Sequence, residues 1–107
     1  APEVGCVERL LAARAHLALK ALAEAMREAQ FCLAKEPQSP SGALVAGLAE
    51  EALGNLAAAE QRLKYAASLR PDCVEARLHL GGIYERSGRK DEALAEYRAA
   101  LERAVRE

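Results

Sequence analysis

Residues 74–101 have the sequence VEARLHLGGIYERSGRKDEALAEYRAAL, in which two apolar stripes flank a short polar segment. The first stripe recurs at the spacing of one helix face and consists of Ala76, Leu80, Ile83 and Tyr84. The second stripe continues past the segment and consists of Leu94, Tyr97, Leu101 and Val105. Gly88 stands where the first helix should stop, and Asp91 occupies the expected N-cap of the next helix. This stretch therefore predicts a helix–turn–helix unit.

The same unit recurs along the chain with a period of 34 residues, which is the spacing between Pro37 and Pro71. Gly54 and Gly88 share one column of this frame, with Lys20 as the odd third member. Two further columns contain only small residues: Ala25, Ala59 and Ala93 in one, and Cys32, Ala66 and Ala100 in the other. After a short lead the chain divides into three units, 6–39, 40–73 and 74–107.

The second unit predicts the same pair of helices. Pro40 and Ser41 start a first helix that Gly54 ends, and a second helix is predicted over residues 56–69. Pro71 then prevents continuation, because proline lacks the N–H that a helix needs as a donor. The small-residue columns let the paired helices approach to about 8–9 Å. One unit cannot bury its apolar face alone, so the three units are expected to stack.

These columns resemble the tetratricopeptide repeat. The third unit carries the family's pattern at Leu80, Gly81, Tyr84, Gly88, Ala93, Tyr97 and Ala100. The second unit carries it at Gly47, Gly54, Ala59, Leu63, Ala66 and Pro71, and the first at Ala25, Leu33 and Pro37. Departures occur at the tyrosine column, with His16 and Glu50, and at the large residue that opens each first helix, with Arg9, Ala43 and Arg77. The resemblance implies an all-α, right-handed α-solenoid of three antiparallel helix pairs in a single domain.

In this family the first helices of the units line a concave groove, and the resemblance places fixed positions of this chain there. The implied groove residues are Val7, Leu10, Leu11 and Arg14, then Ser41, Leu44, Val45, Leu48 and Glu51, then Glu75, Leu78, His79, Gly82, Glu85 and Arg86. Members that clamp a C-terminal carboxylate need Lys, Asn and Arg at such places, and the asparagines are absent here. We therefore expect no carboxylate clamp. An apolar centre with charged ends suits an amphipathic helix or an apolar extended segment, although the leucines could instead pack between units.

Phe31 and Tyr65 also lie one period apart, in a column of the second helices that the family usually gives to a polar residue. If both rings are exposed, they form a second contact surface. The alternative is that both rings pack against the next helix. No capping helix follows the third unit in this sequence, so the parent protein is expected to continue or the last unit to pack against another copy. Self-association through either surface remains open.

The composition argues against several classes of function. The formal net charge is −1, from 15 basic and 16 acidic residues, which gives no electrostatic footprint for nucleic acid or a membrane surface. No apolar run is long enough to cross a membrane, and the N-terminus lacks the features of a signal peptide. His16 and His79 are too far apart in sequence to indicate a metal site, and no nucleophile has a base at informative spacing. We expect no cofactor, no metal and no catalysis.

The three cysteines, Cys6, Cys32 and Cys73, show no CxxC spacing and are odd in number. This pattern predicts no disulfide framework and a reducing, cytoplasmic location. Cys32 is expected to be a small buried residue. The leading hypothesis is therefore a protein-interaction scaffold that binds a peptide or helix. The alternative is a regulatory or targeting domain cut from a multidomain protein, for example a bacterial signalling protein or methyltransferase, since the chain lacks an initiator Met. In that case the partner is a domain of the same parent chain.

Overall fold

In the computed structural model, which describes residues 2–106, the chain folds into six helices joined by short turns. Side chains are described for residue 6 and for residues 8–105. The helices are α1 (Pro2–Ala18), α2 (Leu22–Lys35), α3 (Pro40–Ala52), α4 (Leu56–Leu69), α5 (Val74–Arg86) and α6 (Lys90–Arg106). Consecutive helices pack as the pairs α1–α2, α3–α4 and α5–α6, and the pairs stack through contacts of α2 with α3 and of α4 with α5. The predicted all-α solenoid is confirmed.

The turns inside the helix pairs depend on one residue with a positive φ. Gly54 and Gly88 adopt φ values of 86° and 76°, in the left-handed region that glycine enters without steric cost. Lys20 occupies the same column of the 34-residue frame and adopts the same conformation, with φ 66°. The first unit therefore makes the same turn with a residue that has to accept strain for it.

The helix starts agree with the sequence prediction in the second unit and differ in the third. Pro40 is the first residue of α3, and the Ser39 hydroxyl caps the helix by accepting a hydrogen bond from the Gly42 N–H at 3.0 Å. The prediction that Asp91 is the N-cap of α6 is wrong. The Arg89 carbonyl accepts the first bond, from the Ala93 N–H at 3.0 Å, so the helix begins at Lys90 and Asp91 lies in its first turn. A carboxylate still suits that position because of the helix dipole.

The core consists of two clusters that bury side chains of different size. Between the second and third pairs, the large buried side chains include Leu63, Leu80, Ile83 and Tyr84. Between the first and second pairs, the buried residues are Ala13, Ala25, Ala29, Val45 and Ala46. Because the hydrophobic stabilisation scales with the apolar area removed from water, the second cluster contributes less. Four partly buried side chains pack against this second cluster: Leu10, Leu17, Met26 and Leu33.

Two glycines of the first helices allow this close packing. A Cβ on Gly47 would lie 2.8 Å from the Leu63 side chain, and a Cβ on Gly81 would lie 2.6 Å from the Tyr97 ring. Both distances are well below the usual carbon–carbon contact of about 3.5–4.0 Å. The tetratricopeptide pattern places glycine at these positions because the second helix of the same pair presses on them.

An ion-pair network joins the second and third helix pairs. The Glu60 carboxylate accepts a hydrogen bond from Arg89 at 2.9 Å and forms a 2.9 Å ion pair with Lys64. The Arg89 guanidinium also binds Glu92 at 2.7 Å and lies 4.4 Å from the centre of the Tyr84 ring. Burial acts to raise the pKa of Glu60, but the hydrogen bonds from Lys64 and Arg89 outweigh it, so this pKa is lowered overall.

The prediction that the cysteines form no disulfide is wrong. Cys6 of α1 and Cys32 of α2 are joined as a disulfide, with their Cα atoms 5.3 Å apart and both residues buried. The sequence could not show this pairing, because the two residues are 26 positions apart and meet only through the hairpin of the first helix pair. Cys73 is a free thiol. The cysteines therefore give no support for a reducing compartment.

Candidate partner-binding groove

The first helices of the three units lie on one side of the solenoid, where α1 contacts α3 directly. Two neighbouring hollows lie along these helices. An apolar hollow of about 200 Å³ is lined by Leu10, Leu11, Arg14, Ser41, Leu44 and Val45. A charged hollow of about 540 Å³ is lined by Arg14, Leu17, Ala18, Leu48, Glu51, Ala52, His79 and Arg86. Arg14 borders both hollows, so together they form one groove.

The leucines of the groove differ in how far they are available to a partner. Leu44 and Val45 are buried in the two core clusters, and they contribute packing more than contact surface. Leu10 and Leu48 are half-buried, whereas 65 % of Leu11 is exposed. The alternative raised from the sequence, packing between units, therefore applies to Leu44 but not to Leu11.

An ion pair between Glu75 and Arg14 spans the groove. The Glu75 carboxylate accepts a hydrogen bond from the Arg14 guanidinium at 2.9 Å, which joins α5 to α1 across α3. Both side chains remain about two-fifths exposed, at 45 % for Arg14 and 40 % for Glu75. Exposed ion pairs of this kind contribute about 0–1 kcal/mol, so a partner's charge can displace one side.

A second ion pair forms the floor of the charged hollow. Glu51 binds the His79 Nδ1 atom and the Arg86 guanidinium, each at 2.7 Å. The Glu51 side chain is only 18 % exposed, whereas that of Arg86 is 52 % exposed. The hollow therefore presents the cations of Arg14 and Arg86 to solvent and keeps the carboxylate of Glu51 beneath them.

Several predicted groove residues lie outside the two hollows. Leu78 is exposed on α5, and Glu85 accepts a hydrogen bond from the Tyr97 hydroxyl at 2.9 Å. Gly82 is half-buried on the same helix. The Val7 side chain lies outside the described residues. The family positions assume an equal contribution from each unit, but here residues of α1 and α3 line both hollows and α5 contributes only His79 and Arg86 to the charged one.

Sequence reasoning missed Leu17, Ala18 and Ala52, which line the charged hollow at the C-terminal ends of α1 and α3. The signal for them was available, because Ala18 and Ala52 are 34 residues apart. Arg86 occupies the same column and was predicted, whereas the predicted positions end at Arg14 in the first unit and at Glu51 in the second.

The aromatic pair of the second helices is exposed, at 36 % for Phe31 and 42 % for Tyr65. Arg9 lies over the Phe31 ring at 3.8 Å from its centre, and the Lys35 ammonium lies 5.1 Å from it. Such contacts contribute about 0.5–1 kcal/mol at exposed sites. The departure from the family pattern at Arg9 thus has a structural role, since its guanidinium covers a ring that would otherwise meet water.

Known proteins share the repeat pattern and the fold of this chain. The family model of the tetratricopeptide repeat matches residues 44–105. The chain belongs to the tetratricopeptide repeat family. The matched range begins inside α3, which agrees with the weaker pattern of the first unit. No curated protein matches the chain significantly.

Solved structures of several proteins share the fold at low sequence identity. MamA superposes with a TM-score of 0.86 at 20 % identity, over 95 % of this chain and 60 % of MamA. The Yersinia enterocolitica type III secretion translocator chaperone SycD gives a TM-score of 0.88 at 15 % identity, over 94 % of this chain and 76 % of SycD. The first tetratricopeptide domain of Spaghetti (RPAP3), bound to the HSP90 peptide SRMEEVD, gives 0.86 at 18 % identity, over 92 % of this chain and 79 % of that one. This chain thus spans about three-fifths of the length of MamA.

The described residues contain neither a candidate membrane span nor a candidate metal site. Within residues 2–106, no helix is long and apolar enough to cross a membrane. Over the side chains that the structure describes, no group of three or more His, Cys, Asp or Glu residues could hold a metal ion.

Proposed function

We propose that the groove between α1, α3 and α5 binds a segment of another polypeptide, and that the protein is an interaction scaffold. The observation that carries this proposal is the continuity of the two hollows. An apolar surface at Leu10 and Leu11 leads directly into a hollow whose exposed groups are the guanidiniums of Arg14 and Arg86. This order of surfaces suits an amphipathic segment with apolar side chains at one end and acidic side chains at the other.

Proteins of the same fold support a polypeptide partner in general terms. SycD is a translocator chaperone, and the RPAP3 domain holds an HSP90 peptide. At identities of 15 and 18 %, these likenesses show the fold alone. The chemistry of the partner therefore has to be argued from the groove of this chain.

The proposed mode of binding involves no carboxylate clamp. A clamp needs free donors that can fork one terminal carboxylate. Here Arg14 is engaged by Glu75 and Arg86 by Glu51, and His79 shares that same Glu51 carboxylate. An acidic side chain within the partner segment binds Arg14 by displacing a single exposed carboxylate, that of Glu75. We propose no catalytic role, and the cytoplasmic location stays a prediction without support from the cysteines.

The test uses peptides selected by the protein itself. A library of random 15-residue peptides displayed on phage is selected on the immobilised chain, and one enriched peptide is synthesised with a fluorescent label. Its Kd is then measured by fluorescence anisotropy for the wild type, Leu11→Glu, Arg14→Glu and Leu19→Glu. Leu19 is the matched control, because it is 77 % exposed in the turn after α1 and lines neither hollow.

We expect Leu11→Glu to weaken binding by about 10–100-fold, which corresponds to losing the burial of one leucine. Arg14→Glu should weaken the binding of an acidic peptide by a similar factor, and Leu19→Glu should change the Kd of the peptide by less than about twofold. Circular dichroism confirms that each variant is folded. Enriched peptides that bind all four proteins equally would contradict the groove assignment.

A further inference from the structure

We infer that Cys6 and Cys32 form a redox modification site, at which a reversible disulfide joins α1 to α2 and fixes the first wall of the groove. The cross-link itself depends on no assumption about function. Its effect on peptide binding rests on the function proposed above.

The positions of the two cysteines favour this bond. Their Cα separation of 5.3 Å lies within the range of about 4.4–6.8 Å that disulfides require. The third cysteine, Cys73, precedes α5 as a half-buried free thiol, in another helix pair. Each of Cys6 and Cys32 therefore has one partner, and that partner is defined by the fold.

The reduced state is also accommodated at this site. The Cys32 sulfur lies 3.2 Å from the backbone carbonyl oxygen of Cys6, so a thiol at Cys32 has an acceptor for its weak hydrogen bond. Both residues lie among small buried residues, where a free cysteine packs as a small hydrophobic residue. Oxidation can thus add, and reduction remove, a covalent link between α1 and α2.

An approach for the reagent is provided by a cavity beside Cys6. This cavity of about 620 Å³ is also lined by Leu10, Ser41 and Arg70, and by the turn residues Glu36, Pro37, Gln38, Ser39 and Pro40. The oxidant we assign is a small-molecule disulfide of the glutathione class. The Cys6 thiolate attacks one sulfur of this disulfide and releases one thiol. The Cys32 thiolate then attacks the Cys6 sulfur of the mixed disulfide and releases the second thiol. One S–S bond forms as one breaks, and the two cysteine protons leave with the two thiols.

The first helix pair is where such a bond matters most. The fully buried cluster that it shares with α3 consists of four alanines and one valine, and the His16 side chain in the tyrosine column leaves its Nδ1 atom without a hydrogen-bond partner. Cys6 lies one helical turn before Leu10 and two turns before Arg14. A bond from Cys6 to α2 therefore restrains the part of α1 that carries the groove residues.

The experiment compares the chain after treatment with oxidised glutathione and after treatment with a phosphine reductant. Alkylation with N-ethylmaleimide in denaturant, followed by mass spectrometry, should show three modified cysteines in the reduced protein and one, Cys73, in the oxidised protein. The melting temperature of the oxidised protein should be higher by on the order of 10 °C, because the bond closes a long loop of the unfolded chain. Hydrogen exchange should slow in α1 and stay unchanged in α6.

Two variants make the result specific. Cys73→Ser should keep the redox-dependent melting shift, and Cys6→Ser should abolish it. Three alkylated cysteines after oxidation, or a melting shift that survives in Cys6→Ser, would overturn the inference. With the selected peptide, oxidation should lower the Kd severalfold. A melting shift without a change in Kd would disprove the link between the disulfide and the groove. If no peptide binds, the proposed function is contradicted, and the alkylation and melting results alone decide whether the disulfide forms.

Discussion

Replacing Gly81 by alanine should destabilise the protein, although alanine is the better helix former. The new Cβ would lie 2.6 Å from Tyr97 Cε1 and 2.8 Å from Cδ1, so the ring would have to move by about 1 Å to reach ordinary contact. The ring is held on both sides. It packs against the core between the second and third pairs, and its hydroxyl donates a 2.9 Å hydrogen bond to Glu85.

The magnitude follows from two opposing effects. Overpacking of this kind costs about 1–3 kcal/mol, and the better helix propensity of alanine returns about 0.8–1.0 kcal/mol. The free energy of unfolding should therefore fall by about 1 kcal/mol. Gly82 is the matched control, because it lies next to Gly81 in α5 and its Cβ would lie 3.9 Å from the Tyr97 hydroxyl. Gly82→Ala should gain nearly the full propensity and stabilise the protein by about 0.8 kcal/mol.

The assay is urea unfolding of both variants, followed by far-UV circular dichroism. Their difference, about 1–3 kcal/mol, isolates the steric cost, since the propensity gain is common to both. A third variant, Gly81→Ala with Tyr97→Leu, should recover part of the loss, because the smaller side chain leaves room for the Cβ. If Gly81→Ala proves as stable as Gly82→Ala, the claim that the Tyr97 ring dictates glycine at this position is wrong.

Two further predictions concern the first turn and the ion-pair network. Lys20→Gly should raise the free energy of unfolding by about 1 kcal/mol, because glycine adopts a φ of 66° without strain. Gly54→Ala should lower it, because alanine is strained at a φ of 86°. Thermal melts of both variants check these two signs. The pKa of Glu60 is lower in the folded protein than in the unfolded chain, so its ionised carboxylate stabilises the fold. This contribution is complete above the unfolded-state pKa of about 4.3 and is lost as the pH falls through the folded-state pKa. Urea unfolding between pH 2 and pH 7 should therefore show a shallower loss of stability on acidification for Glu60→Gln than for the wild type, and equal slopes would contradict this account.

Most of the fold could be predicted from the period of 34 residues. The predicted second helix of unit two, residues 56–69, coincides with α4, because Pro71 and the residues after Gly54 set its limits. The start of α6 could not be placed as well, because Asp91 is as favourable in the first turn of a helix as at the N-cap. The pairing of Cys6 with Cys32 was missed, because spacing along the chain carries no information about which helix faces meet.

The site was only partly predictable, because family positions specify which helix face turns inward but not how deeply each side chain is buried. Leu44 and Leu11 were assigned the same role, yet the first lies in the core and the second is 65 % exposed. The ion pairs of Glu51 and Glu75 join helices 28 to 61 residues apart in sequence, and such pairs emerge only when the units are stacked. The groove's chemistry therefore depends on geometry that the repeat pattern does not encode.

The ion pair between Arg14 and Glu75 has a consequence for the mechanics of the solenoid. In an ideal repeat array each unit contacts only its immediate neighbours, so unfolding can begin at one end of the array without involving the other end. Here the first unit is tied to the third across 61 residues of sequence, which couples the two ends of the array. Because the pair is exposed, its strength depends on ionic strength. The curvature of the solenoid, and with it the width of the groove, should then relax as salt is added, and a partner that inserts an acidic side chain would act on the same joint.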